Sequence, residues 1–218
     1  MGEEHFQRVY MSWKELEKSF SKVAEGLEPQ KETIELLVRE LLEVRKKSRE
    51  IILLGVGRCA SILNLFATRL VQPIVFAWGQ ERMLNRAQVK LVSEDSFISV
   101  IEPEALVICL SGTGKTFPLV RYAENYKAMG AKLVAICSVQ GSKLVDMASF
   151  HIILPGISEK DLAKSEFVYG PDQPIHFEDT HPGPTFFECN AILLLESVFS
   201  SLKTQIELEH STQMKGTS

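Results

Sequence analysis

The chain has 218 residues, 45% of them apolar and 24% charged, which is enough to bury the core of one domain and carries no compositional sign of disorder. Its formal charge of −4 and isoelectric point near 5.8 argue against a nucleic-acid surface, which asks for a basic stripe. No apolar stretch reaches membrane-spanning length, the acidic start Met1-Gly-Glu-Glu-His5 lacks a secretory core, and the four cysteines form no C-x-x-C pair, so a reduced, cytoplasmic chain is expected.

In chain order, residues 5–24 carry Phe6, Val9, Tyr10, Trp13, Leu16, Phe20 and Val23 at spacings of three and four, one apolar stripe of a helix. Gly26 and Pro29 interrupt it. A second stripe runs through Ile34, Leu37, Leu41 and Val44 into the basic run Arg45-Lys46-Lys47, read as a helix C-terminus meeting its own dipole rather than as a binding patch. This helical pair, residues 1–48, is also a candidate contact with a second copy of the chain.

From residue 50 strand and helix patterns alternate. Strands are expected at 51–54, 73–77, 105–110, 132–137 and 152–154, and helices at 58–72, 117–129 and 142–148. Residues 79–92 read as a polar helix and residues 93–104 as a loop. Continuous apolar strands alternating with helices predict a parallel sheet covered on both faces, which binds ligands at the carboxyl ends of its strands. Cys109 and Cys137 fall inside such strands as small apolar residues.

Two glycine turns fall at those carboxyl ends. Ser111-Gly-Thr-Gly-Lys-Thr116 joins a strand to a helix start, where backbone N–H groups, hydroxyls and the helix dipole converge on an anion, for which phosphate is the natural guest. The spacing is not that of a P-loop: Gly112 lies two residues before Gly114, where a Walker loop needs four residues between its first glycine and the Gly-Lys pair. Gly55-Val-Gly57, with Ala60, matches the glycine positions of a dinucleotide fingerprint, but the acid wanted about twenty residues later is missing from 71–78.

Residues 155–184 hold Pro155, Gly156, Gly170, Pro171, Pro174, Pro182, Gly183 and Pro184, too many breakers for a long regular element, and read as a lid, a binding loop or a disordered stretch. Within them His176, Glu178, Asp179 and His181 are metal-ligating residue types without the spacing of a rigid frame, and no metal is expected. A helix is predicted at 185–203, with Glu188 in its first turn: either a dipole-favoured acid facing water or a base delivered to the ligand. Residues 207–218 read as a tail.

These motifs together resemble a sugar isomerase (SIS) domain over about residues 30 to 203, with residues 49–206 as the domain proper. Gly55-Val-Gly57-Arg58-Cys59 resembles that family's G-x-G-R-S turn, residues 111–116 its S-G-S/T-G-x-T phosphate loop, and Pro182-Gly-Pro-Thr-Phe-Phe-Glu188 the P-x-G-T-x-F-E segment of 6-phospho-3-hexuloisomerases. Cys59 stands where a serine is usual, Lys115 where Glu is common, and Pro184 where a glycine is expected. The resemblance implies a three-layer α/β/α sandwich around a five-stranded parallel sheet, preceded by two helices. It also implies isomerisation between 3-hexulose 6-phosphate and fructose 6-phosphate, with no cofactor. In that scheme Ser111, Gly112, Thr113, Gly114, Thr116 and Ser138 hold phosphate, and Gly57, Cys59 and Lys115 adjoin the substrate. Glu188 is the base, and Arg58 orients the sugar or steadies the oxyanion. His210, where hexuloisomerases carry a C-terminal histidine, is either a proton shuttle or ring opener or a solvated tail residue. A homo-oligomer, dimer or tetramer, is implied too. The alternatives are a heptose or pentose phosphate isomerase and a non-catalytic sugar-phosphate sensor.

Overall fold

A computed structural model of the chain describes residues 10, 14, 23–93, 96, 100–156 and 183–216. Most of the first expected helix, the Trp13 stripe included, lies outside them, as does the His176 to His181 cluster. Residues 23–27 are helical and pass through a 3-10 turn, Glu28–Gln30, into helix α1, Lys31–Lys46. The leucine stripe of α1 forms because burying it outweighs the modest propensity of a short helix: Leu37, Leu41, Leu42 and Val44 are all buried. That stripe faces this chain's own core.

The central sheet has five parallel strands in the order β4-β1-β5-β6-β7, namely Val89–Val92, Ile51–Gly55, Leu106–Leu110, Lys132–Cys137 and Phe150–Ile153. Successive residues of β1 point to opposite faces: Ile51 and Leu53 join one apolar cluster, Ile52 and Leu54 the other. The first cluster lies under α1, α2 (Arg58–Val71) and α5 (Gly183–Gly216). The second lies under α3 (Phe117–Ala128) and α4 (Lys143–Met147). This is the expected three-layer sandwich. Cys109 and Cys137 are fully buried, and burial pushes the Cys137 thiol up to about 12.

Two expectations fail in one place. Residues 73–77 do not supply a strand of the parallel sheet, and residues 79–92 are not a helix. Instead β2, Pro73–Phe76, pairs antiparallel with β3, Gly79–Arg82, as a separate two-stranded sheet, and β4 follows a 3-10 turn at Arg86–Gln88 to form the sheet edge. β4 is short and bordered only by β1, so Val92 is buried while Leu91 stays exposed. The polar residues ahead of β4, Gln80, Glu81, Arg82, Asn85, Arg86 and Gln88, are what a pattern search reads as a solvated helix. The hairpin is anchored by the last turn of α1: Arg45 donates to the carbonyls of Arg82 and Met83 and pairs with Glu81.

The last helix is also longer than expected. α5 continues to Gly216, through the stretch read as a tail, keeping Leu202 and Ile206 in the core.

Candidate active site

The strand order decides where a ligand can sit. The chain leaves β1 for β4 on one side and returns to β5 on the other, so the crevice beyond the carboxyl ends of β1 and β5 is the topological switch point. Register aligns Gly55 with Leu110, which starts the two glycine turns side by side at that crevice.

In the loop after β5, Ser111 is buried, and its hydroxyl accepts the Gly114 N–H at 3.1 Å and lies 3.2 Å from the Thr116 hydroxyl. Ser111 therefore holds the loop's shape from within. Thr113 accepts the N–H of Lys115, whose side chain is exposed. Gly114 has φ +62° and lies against the wall: a Cβ there would come within 2.1 Å of the Ser142 Oγ and 3.3 Å of the Cys137 Sγ, so only glycine fits. Ser138 donates its N–H to the Gly112 carbonyl, while its hydroxyl is buried without a protein partner among the described residues. Thr116 is the N-cap of α3 yet makes no side-chain capping bond, which leaves the N–H groups of the first turn, Pro118 apart, uncapped by it.

In the turn after β1, Gly57 takes φ +57° and starts α2, which brings Arg58 and Cys59 to the crevice. From the opposite side α5 supplies Glu188, whose Oε1 lies 2.9 Å from the Arg58 Nε. The two are unlike in setting: Glu188 is 16% exposed and Arg58 66%. Burial raises the Glu188 carboxyl above its ordinary range, and the Arg58 charge partly opposes the rise. Cys59 links all three parts. Burial and the neighbouring Glu188 push its thiol up to about 11, against a hydrogen bond from the Gly112 backbone and the Arg58 charge. At neutral pH it is a protonated thiol, a weak donor facing both the loop and the carboxylate.

Beside Ser138 opens a cavity of about 630 Å³, lined by Gln140 and His151, by Pro155 and Gly156 after β7, and by Gln30 and Thr33 at the start of α1. Its volume is in the range of small-molecule sites. A second cavity of about 650 Å³, between the end of α1 and the hairpin, lies at the amino end of β1, away from the glycine turns.

His210 is elsewhere. It lies twenty-two residues beyond Glu188 on the same helix, about 33 Å along its axis, and its ring stacks on Trp78 at 3.9 Å. One chain does not bring His210 to its own Glu188. Sequence reasoning also passed over Asn190, a buried polar residue in the core-facing period of α5, and Gln30, whose amide pairs with both the N–H and the carbonyl of Ile153. A polar side chain on an apolar stripe was the available signal for Asn190.

A family model of the SIS domain matches residues 46–165. A Mycobacterium gastri protein named 3-hexulose-6-phosphate isomerase is 24% identical over 178 residues, covering 82% of this chain and 75% of that one. A Methanococcus jannaschii crystal structure, from which a molecular function of 3-hexulose-6-phosphate isomerase was inferred, is similar with a TM-score of 0.56 and 18% identity, over 91% of this chain and 96% of that chain. The phosphoheptose isomerase of Francisella tularensis is similar with a TM-score of 0.60 and 9% identity, over 91% and 98%.

Proposed function

Because the chain belongs to the SIS domain family, we propose that it is a sugar-phosphate isomerase whose substrate pair is 3-hexulose 6-phosphate and fructose 6-phosphate. The observation that carries the reading is the meeting of Glu188 and Arg58 at 2.9 Å beside the loop 111–116, a carboxylate and a cation delivered to one crevice by two separate helices. The similarity to the Mycobacterium gastri protein supports this choice of sugar.

In this reading the phosphate sits at the start of α3, held by the Thr113, Thr116 and Ser138 hydroxyls and by backbone N–H groups, with Lys115 adding charge from the rim. Ser111, Gly112 and Gly114 shape that cradle, and Gly57 and Cys59 bring the neighbouring wall against the sugar. Glu188 takes the proton from C2 of the 3-ketose, and the electron pair moves through C2–C3 to leave a 2,3-enediolate. The electron pair rests on O3; Glu188 then returns its proton to C3 while the O2 proton passes to O3, giving the 2-ketose and the free carboxylate, so atoms and charge balance within the sugar and one carboxylate. Arg58 faces the enediolate oxygens, where negative charge develops. Releasing Glu188 from Arg58 as the substrate enters leaves a partly desolvated base of raised pKa, suited to proton transfer near neutral pH.

The test is turnover of 3-hexulose 6-phosphate, generated in situ and read as fructose 6-phosphate through coupled NADPH formation. Wild type turns over, and Glu188→Gln loses about 10²-fold or more in kcat while keeping sugar-phosphate binding. Binding without turnover in the wild type would make the chain a sensor or assign it another sugar.

A further inference from the structure

A base is useful only if it is held still, and the part of α5 that carries Glu188 is clamped to the chain leaving β7 by two contacts that flank it. One precedes Glu188. Gly156 lies so close to Phe187 that a Cβ on it would come within 2.4 Å of the Phe187 Cβ and 2.8 Å of its Cα, and Phe187 itself is 1% exposed. Backbone therefore rests on backbone, with no flexible side chain between. The other contact follows Glu188. Asn190 is 1% exposed and donates from Nδ2 to the Pro155 carbonyl at 2.9 Å.

Asn190 is a poor choice for stability alone. Its Oδ1 is buried without a partner among the described residues, so the side chain satisfies one polar end and strands the other. An apolar side chain would strand no amide oxygen, at the loss of one donor to the Pro155 carbonyl. What the amide supplies is direction: one bond, from one face of the helix, to a carbonyl beside the residue that Phe187 presses on. Residues 187 and 190 together fix both the rotation of the helix and its advance along its axis, and Glu188 lies between them. From there its carboxylate reaches Arg58 across the crevice.

We propose that Asn190 and Gly156 are positioning residues of the isomerase, clamping α5 to the chain after β7 so that Glu188 is held over the glycine turns. This rests on the reading of Glu188 as the base. Both act through the helix.

The experiment uses the chain with Asn190→Leu, which keeps the branched shape and removes the amide, and Gly156→Ala, which pushes Phe187 away. Asn190→Ser, a smaller change, stands in if either fails to fold. Two readouts are taken. The first is the titration of the Glu188 carboxylate by carbon NMR, assigned through Glu188→Gln. The second is kcat and KM for 3-hexulose 6-phosphate. In the folded variants the Glu188 titration moves toward the ordinary glutamate range, and kcat falls about tenfold while KM stays within about twofold, as expected when a base is misplaced but the phosphate cradle is intact. An unchanged Glu188 titration in folded variants overturns the proposal. A wild-type chain that does not turn the sugar over removes the assigned reaction, and the titration still decides whether the clamp holds Glu188.

Discussion

At the scale of single residues, the site depends on a few positions where only one side chain satisfies the geometry. Gly114 is the sharpest. Its φ of +62° is unfavourable for any residue with a Cβ, and that Cβ would occupy the space of the Ser142 hydroxyl. Gly114→Ala is therefore expected to rebuild the loop rather than merely crowd it. Sugar-phosphate affinity measured by calorimetry should fall at least about tenfold, while the strands beneath stay folded. Glu188 carries a pH signature. Its folded-state pKa is raised by burial, so the base is lost by protonation at a higher pH than for an ordinary glutamate, and the acid limb of kcat/KM should lie correspondingly high. Arg58 opposes the rise, so Arg58→Met should move that limb further up in pH, whatever it does to the maximal rate. A limb that moves down, or not at all, would remove the pairing from the free enzyme. The linkage to stability has the opposite sense to that of a salt-bridged acid. The contribution of protonated Glu188 is present below the usual glutamate range and is lost as pH rises through the folded value.

Elements divide into those that a local pattern announces and those that a neighbour creates. β5, β6, α2 and α3 stand within a residue or so of their expected bounds, because continuous apolar runs and 3.6-residue stripes both report burial directly. The hairpin β2–β3 does not announce itself. Its alternation is short, Val75 is 70% exposed, and its place is set by Arg45 reaching from α1. Replacing Arg45 with Ala should therefore act locally. Hydrogen exchange of the amides of residues 74–84 is expected to accelerate about tenfold, the loss of about 1–2 kcal/mol of charge-assisted bonding at a partly exposed site, with the central sheet unaffected. Equal exchange in the variant would mean that the hairpin stands by itself. β4 was hidden for a related reason: it is four residues long, follows a polar stretch, and as an edge strand with one neighbour carries one buried side chain. α5 was underestimated because Glu207, Leu208, Glu209 and His210 alternate charge and bulk without a core stripe. They extend a helix that is already nucleated and packed upstream.

At the scale of the whole molecule, the parallel sheet, its two helical layers and the glycine turns at its carboxyl ends were all legible in the chain by itself, because each is a consequence of local periodicity and of the few residues that tolerate a sharp turn. The candidate base was legible too, as a carboxylate in an otherwise apolar helix. What the sequence could not contain was distance. That β4 and not residues 73–77 completes the sheet, that Glu188 meets Arg58 while His210 is carried about 33 Å away along the same helix to stack on Trp78, and that Asn190 clamps Pro155, follow from which elements lie beside one another. Those adjacencies arise from burial of apolar surface across residues far apart in the chain. Local pattern determined the parts and the chemistry they carry, and only tertiary packing decided which of them share a crevice.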